Sequence, residues 1–270
     1  MENRILVTGA NGNLGSLIFA HLQEQGYEVC GASSNPSRDQ ISLDFSSSKL
    51  NFEYLDNFEF VIHCGRVIDL NNDKARGQED LFLKNAFQKG CKVVYIGSTS
   101  AWLTALSRYG HYKLQGADLV TKNNGIVVSA GLIYGKDFRG QLQKLGRILN
   151  KLPFAIQLIP SNFLYLTPVE NLCNVILEKG ISGPPGSRFL VAHDYPVEFN
   201  QILSNLSARS IRFKVKINLV TIRKILKILK FRDSYFNADS VLGLMSPYTE
   251  NSLEIHRHTL IKTGGFESFD

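Results

Sequence analysis

The sequence predicts an α/β protein built on a doubly wound parallel sheet. Three observations carry that expectation. Residues 4 to 15, RILVTGANGNLG, read as a short buried strand, a glycine turn and the start of a helix. Short apolar runs then recur at 27–33, 41–45, 58–64, 92–97 and 125–130, separated by helical patterns. That alternation implies parallel strands with helices on both faces of the sheet.

The first stretch sets the frame. Ile5, Leu6 and Val7 form the strand; Gly9, Gly12 and Gly15 follow at equal spacing. Leu14, Leu17, Ile18 and Leu22 mark one face of a helix that starts at Asn13 and ends at Gly26. Glycines let a backbone turn sharply and approach a pyrophosphate. The helix start offers free N–H groups and a positive dipole end. Gly9, Asn11, Gly12, Asn13, Leu14 and Gly15 are therefore candidate dinucleotide contacts.

Strand two, Tyr27 to Ser33, ends in GASSNPSR, with no acid before Asp39. A carboxylate there would hold the ribose 2′-hydroxyl of NAD, whereas neutral or basic residues leave room for a 2′-phosphate. Ser33, Ser34, Asn35 and Arg38 are candidate phosphate contacts, which favours NADP over NAD. Asp44, at the end of an Ile41–Phe45 strand, is placed to hydrogen-bond an adenine. A helix is expected from Glu79 to Gln88. The glycine loop, Asp44, His63-Cys64-Gly65, Ser98-Thr99-Ser100 and Gly131 all fall at strand ends, where ligands of such sheets bind.

After the fifth strand comes GSTSAW, then Tyr109-Gly-His-Tyr-Lys113 opening a helix. Tyr109 and Lys113 are four apart and share a helix face. An ammonium beside a phenol favours the phenolate, so such a tyrosine can exchange a proton with a sugar oxygen. A hydroxyl from the preceding strand end can hold the same oxygen. Tyr112 lacks a lysine four residues on, because Gly116 stands there.

These motifs together resemble the extended branch of the short-chain dehydrogenase/reductase superfamily: sugar-nucleotide epimerases, dehydratases and reductases. TGANGNLG is similar to its T-G-x-x-G-x-x-G, LDF at 43–45 to its Asp-hydrophobic adenine contact, and FVIHCG at 60–65 to its VIHxAA strand. YGHYK resembles Y-G-x-S-K, IVVSAGLIYG at 126–135 resembles R-P-x-N-V-Y-G, and FLYLTPVENL at 163–172 resembles the Y-V-D-D-V-A segment. RFLVAHDYPVEFNQIL resembles the family's late strand and helix. The resemblance implies a Rossmann-type domain over residues 1–135. It implies a smaller C-terminal substrate-binding lobe over 136–270, with residues around 163–172 returning to the core.

By the same resemblance Tyr109 is the proton donor or acceptor, and Lys113 tunes it and holds the cofactor ribose. Ser98 matches the catalytic hydroxyl, with Thr99 one residue away. Phe45, Cys64, Gly65 and Ile133 join the cofactor contacts, Ile133 by backbone groups near the nicotinamide amide. Ser129 and Leu132 stand where the family has arginine and asparagine, and the stretch between Ser98 and Tyr109 is short. No acid pair follows the hydroxyl cluster, which disfavours a dehydratase. The resemblance implies reduction of a nucleoside-diphosphate 4-keto-6-deoxy sugar, with epimerisation on tightly bound NAD as the alternative. It further implies a homodimer that packs the helix of Tyr109 and the 79–88 helix, through Leu81, Phe82 and Phe87, into a four-helix bundle. A redox-inactive dinucleotide-sensing protein is the reading from another class.

Composition narrows the rest. The 270 residues are 44% hydrophobic and 20% charged, the balance of a folded globular chain. No apolar run approaches the roughly 18 residues that span a bilayer, and no leader is legible ahead of the glycine motif. Cys30, Cys64, Cys91 and Cys173 lack zinc spacing and suit buried thiols in a reducing cytoplasm; no metal is expected. The net charge of +6 suits an anionic ligand but is too modest to indicate nucleic acid. Arg139, Lys144 and Arg147 are candidates for a diphosphate. Arg66 is either a phosphate contact or a solvated loop residue. Residues 209–232 carry nine Lys or Arg and no acid, around a stripe of Leu219, Ile222, Ile225, Leu226 and Leu229. That segment reads as a lobe helix with a solvated basic face, a phosphate contact, or a surface resting on anionic membrane.

Overall fold

The computed structural model describes residues 4–47, 49–67, 69–102, 105, 107–136, 138, 140–207, 213–228, 243 and 258–269. These fall into two compact units. The first comprises Met1–Gly97, Gln115–Ser129 and Leu172–Phe189; the second comprises Ser98–Leu114, Ala130–Asn171 and Leu190–Asp270.

The elements begin with β1 (Arg4–Thr8), α1 (Asn13–Glu24), β2 (Glu28–Ser33), β3 (Ile41–Ser42), β4 (Phe60–His63), α2 (Asp73–Gln88), β5 (Lys92–Ser98), α3 (Arg108–Lys122) and β6 (Ile126–Ala130). They continue with β7 (Leu132–Tyr134), α4 (Gln141–Leu149), β8 (Ala155–Leu158), β9 (Phe163–Leu164), β10 (Leu166–Pro168) and α5 (Val169–Val175). The last are β11 (Arg188–Ala192), β12 (Val197–Glu198), α6 (Phe199–Leu206), β13 (Lys214–Ile217), α7 (Leu219–Ile228) and β14 (His258–Lys262). An eight-stranded sheet runs in the order β14-β11-β6-β5-β4-β1-β2-β3. β1 pairs in parallel with β2 and β4, β2 with β3, and β4 with β5. The expected α/β fold with a large parallel sheet is therefore observed.

The strands read as continuous apolar runs because parallel strands are covered on both faces. Ile5, Leu6, Val7, Val61 and Ile62 are all fully buried. Each such aliphatic side chain contributes about 1.5–3 kcal/mol by leaving water. In the second unit a separate core gathers Leu142 and Leu149 of α4, Leu158, Leu164, Leu166, Ile202 and Leu203 of α6, and Leu219 of α7.

Three local expectations are corrected. The strand expected over Ile41–Phe45 stops at Ser42, because the Asp44 carboxylate accepts from the Ser46 N–H at 2.9 Å and its hydroxyl at 2.8 Å, turning the chain away. The helix expected from Glu79 starts at Asp73, where the Asn72 side chain accepts from the Ala75 N–H at 3.0 Å. That first turn is mostly polar and solvated, so apolar periodicity does not reveal it. Phe82, assigned to a dimer face, is fully buried against Phe45 and Phe52, so it belongs to the core; Leu81 is exposed. Arg139 and Leu229 lie outside the described residues, as do the side chains of Ile225 and Leu226.

Candidate functional site

The glycine loop is built by backbone contacts that exclude side chains. Gly9 has φ +66°, a left-handed conformation natural to glycine, and a Cβ there would lie 2.9 Å from the Cα and N of Gly65. A Cβ on Gly15 would lie 2.1 Å from the Gly9 carbonyl oxygen. That oxygen also accepts the Gly12 N–H at 2.8 Å, which folds the loop into a tight turn. Gly12 occupies the N-cap of α1 with no side-chain cap, and no acid stands in the first helical turn. α1 therefore presents its N-terminal N–H groups and positive dipole end beside a backbone cradle. Asn13 and Leu14, half-buried, open this helix. These features fit an anionic dinucleotide.

The Asn11 side chain is held from the far side of the loop. Its amide donates to the Asn35 carbonyl at 2.6 Å, and its carbonyl oxygen accepts from Gln40 at 2.9 Å. Gln40 in turn accepts the Ser37 N–H at 3.1 Å. No periodic signal in the sequence marks Gln40. Ser33 is buried, and its hydroxyl oxygen accepts the Asn35 N–H at 3.2 Å. Ser34 and Arg38 are exposed at the end of β2. Asp44 is half-buried and spends its carboxylate on Ser46, while Phe45 is buried with its ring 6.0 Å from that of His63. Gly65 donates its N–H to Thr8 Oγ1 at 3.1 Å, which brings it, with Cys64 before it, up to the glycine loop.

In the second unit the hydroxyl cluster and the start of α3 are brought together. Ser98 ends β5 and its Oγ accepts the Ser100 N–H at 3.2 Å; the Thr99 N–H donates to the Ala130 carbonyl at 2.9 Å. A Cβ on Gly110 would lie 2.2 Å from the Ser100 carbonyl oxygen, so glycine beside Tyr109 allows α3 to begin against this turn. Ser107 caps the helix by accepting the Gly110 N–H at 2.9 Å. Tyr109 is half-buried, whereas Lys113 is only 4% exposed. The Lys113 ammonium lies 5.8 Å from the centre of the Tyr112 ring, a cation–π distance. A lysine buried to this degree is not an ordinary surface partner of a helix, since burial of an ammonium is unfavourable without compensation.

Ile133 lies half-exposed in β7, paired in parallel with Thr167 of β10. The turn before it requires Gly131: a Cβ there would lie 2.0 Å from the Tyr165 carbonyl oxygen. The Gly131 N–H donates to Thr167 Oγ1 at 2.8 Å, and the Thr167 hydroxyl donates to the Val191 carbonyl at 2.6 Å. Residues 131–134 and 165–168 are thus neighbours within the second unit. Arg147 is exposed and its guanidinium donates to Gln143 at 2.8 Å; Lys144 is half-buried on the same helix.

Residues 5–105 match the family model described as NAD dependent epimerase/dehydratase family. The resemblance drawn from the motifs is thereby borne out over that segment. No curated protein matches the sequence. Among solved structures, the chain is similar to MoeE5 in complex with UDP-glucuronic acid and NAD, with a TM-score of 0.64 and 19% identity over 91% of this chain and 98% of that one. It is similar to a UDP-glucose 4-epimerase from Thermotoga maritima with UDP-glucose, TM-score 0.63 and 14% identity over 79% and 85%. It is also similar to DesIV, a dTDP-glucose 4,6-dehydratase from Streptomyces venezuelae with NAD and TYD bound, TM-score 0.62 and 14% identity over 80% and 84%. At these identities the likeness is one of fold.

Proposed function

From that family match, we propose that this chain is a nicotinamide-dependent enzyme acting on a nucleoside-diphosphate sugar, and that its reaction is reduction of a 4-keto-6-deoxy sugar. The observation that carries the reading is the buried Lys113 one helical turn from Tyr109, on a helix whose start packs against the Ser98–Ser100 turn. A bound nicotinamide dinucleotide supplies the hydride. Tyr109 gives its phenolic proton to the sugar oxygen. Ser98, or Thr99, holds that same oxygen by its hydroxyl. The Lys113 ammonium stabilises the phenolate left on Tyr109.

Gly9, Gly12 and Gly15 with the uncapped start of α1 form the pyrophosphate cradle. Ser34 and Arg38, exposed where an acid would select NAD, take a 2′-phosphate and make NADP the first choice. Residues of the C-terminal lobe receive the nucleotide-sugar, and the working protein is a cytoplasmic homodimer. No helix among the described residues is long and apolar enough to cross a membrane. The second reading is an epimerase. MoeE5 is in complex with NAD and UDP-glucuronic acid and the Thermotoga maritima epimerase with UDP-glucose, and an epimerase keeps one NAD through its cycle.

One experiment separates these. The purified protein is denatured, any released dinucleotide is identified, and the protein is titrated with NADPH and NADH by fluorescence. An empty site that prefers NADPH, followed by NADPH consumption with a 4-keto sugar nucleotide, supports the reductase. NAD that survives purification supports the epimerase. Binding of neither removes the dinucleotide reading.

A further inference from the structure

Thr8, His63 and Glu79 form a connected chain of polar side chains inside the first unit. Thr8 and His63 are fully buried, and Glu79 is 2% exposed. His63 Nδ1 lies 2.8 Å from Thr8 Oγ1, and His63 Nε2 lies 2.8 Å from Glu79 Oε1. The imidazole is stacked on Tyr95 at 5.7 Å and flanked by the rings of Phe82 at 5.6 Å and Phe45 at 6.0 Å. Aromatic walls flank the ring, and the two hydrogen bonds place its nitrogens toward the two polar partners. So deep a carboxylate–imidazole pair does nothing for the proton transfer described above.

One assignment of protons satisfies all three hydrogen bonds of the chain. A carboxylate only accepts, so His63 carries its proton on Nε2 and donates it to Glu79. Nδ1 is then an acceptor and takes the Thr8 hydroxyl proton. A lone pair of Thr8 Oγ1 accepts the Gly65 N–H at 3.1 Å. In the reverse assignment Thr8 Oγ1 would accept from both His63 and Gly65, and its own proton would need another acceptor. Gly65 is the residue whose backbone touches Gly9, with no room for a Cβ between them.

We propose that Glu79 and His63 are positioning residues for the glycine loop: Glu79 sets the His63 tautomer, His63 orients the Thr8 hydroxyl, and Thr8 holds Gly65 against Gly9. This deepens the dinucleotide-binding reading and rests on it. Neither residue touches the ligand; both act through the placement of two backbone segments. An open hydroxyl rotor at Thr8 would let Gly65 drift from Gly9 and spoil the pre-formed cradle.

The test combines nitrogen-15 histidine NMR with NADPH and NADH titrations of the full chain and its variants. The His63 signals are expected to show a neutral ring protonated on Nε2, and Glu79→Leu is expected to abolish that preference. Glu79→Leu and Thr8→Val are each expected to weaken dinucleotide binding about tenfold, the scale of one lost buried hydrogen bond. Their combination is expected to be no weaker than either alone, because both break the same chain. Thr8→Ser keeps the hydroxyl and is expected to bind like the parent. Binding within twofold of the parent by folded Glu79→Leu and Thr8→Val overturns the positioning role, as does a proton on Nδ1 in the parent. Should Glu79→Leu fail to fold, the Thr8→Val and Thr8→Ser pair decides. A parent protein that binds neither dinucleotide overturns the reading beneath, while the tautomer still reports on the hydrogen-bond chain.

Discussion

The Tyr134 hydroxyl is hydrogen-bonded to His193 Nε2 at 2.7 Å, and His193 Nδ1 donates to the Gly264 carbonyl at the same distance. A carbonyl can only accept, so His193 carries a proton on Nδ1. The rings of Phe266 and Phe269 pack on Tyr134 at 5.9 Å and 5.2 Å. Tyr134→Phe keeps the ring contacts but leaves Nε2 without this partner. The segment from His258 to Phe269 is expected to loosen, losing about 1 kcal/mol of local protection. Amide hydrogen exchange of the Thr263 and Gly264 N–H groups checks it. Unchanged protection there would show that the aromatic packing alone holds the tail.

Gly15→Ala places a methyl 2.1 Å from the Gly9 carbonyl oxygen. Backbone must move, since no flexible side chain is there to yield. Loss of dinucleotide binding by more than about tenfold is expected, with destabilisation of about 1–3 kcal/mol from overpacking. Gly26→Ala offers the comparison: φ is +82° there but nothing lies within 4 Å, so strain arises without intrusion on the loop. Titration of both variants with NADPH separates backbone strain from damage to the cradle.

Tyr109→Phe is expected to lower turnover of a sugar nucleotide by about 10²–10⁴, the usual contribution of a positioned acid or base. Tyr112→Phe leaves the ring under the Lys113 ammonium and is expected to change turnover far less. Steady-state kinetics of the two variants are the check. Equal losses would remove Tyr109 from its assigned role.

Burial pushes the Cys91 thiol from the ordinary value of 9.0 up to about 11, with the Asp56 charge adding to it. The S–H contacts the Leu55 and Phe58 carbonyls at 3.5 Å and 3.3 Å, which also suits the neutral form. The folded chain thus keeps a proton that the unfolded chain loses above pH 9. Stability from this group is full below pH 9 and is lost as pH rises through about 11. Urea melts at pH 7, 9 and 10.5 are expected to show that decline, and Cys91→Ala to flatten it. A parallel decline in Cys91→Ala would assign it to other groups.

The legible part of the chain is the part where one residue type answers to one local requirement. β1, the glycine turn and α1 were readable because an apolar run, glycines and a helical stripe adjoin in sequence. α6 is legible in the same way, because the apolar face of Phe199–Leu206 has a clear helical period. The start of α2 was not readable. Its first turn shows solvent a polar face, and the Asn72 cap carries the signal instead of hydrophobic spacing. β14 was not readable either: five residues of mixed polarity become a strand by joining an edge of the sheet next to β11.

The fold class, the glycine loop and the Tyr109–Lys113 spacing are legible in the chain alone, since apolar runs, glycine spacing and helical spacing are patterns over a few residues. The burial of Lys113, the place of Phe82 in the core and the position of His63 between Thr8 and Glu79 arise from long-range packing. Thr8 and His63 are separated by 55 residues, and His63 and Glu79 by 16. Their partnership comes from the parallel pairing of β1 with β4 and the packing of α2, and long-range pairing of that kind leaves no local periodicity to read.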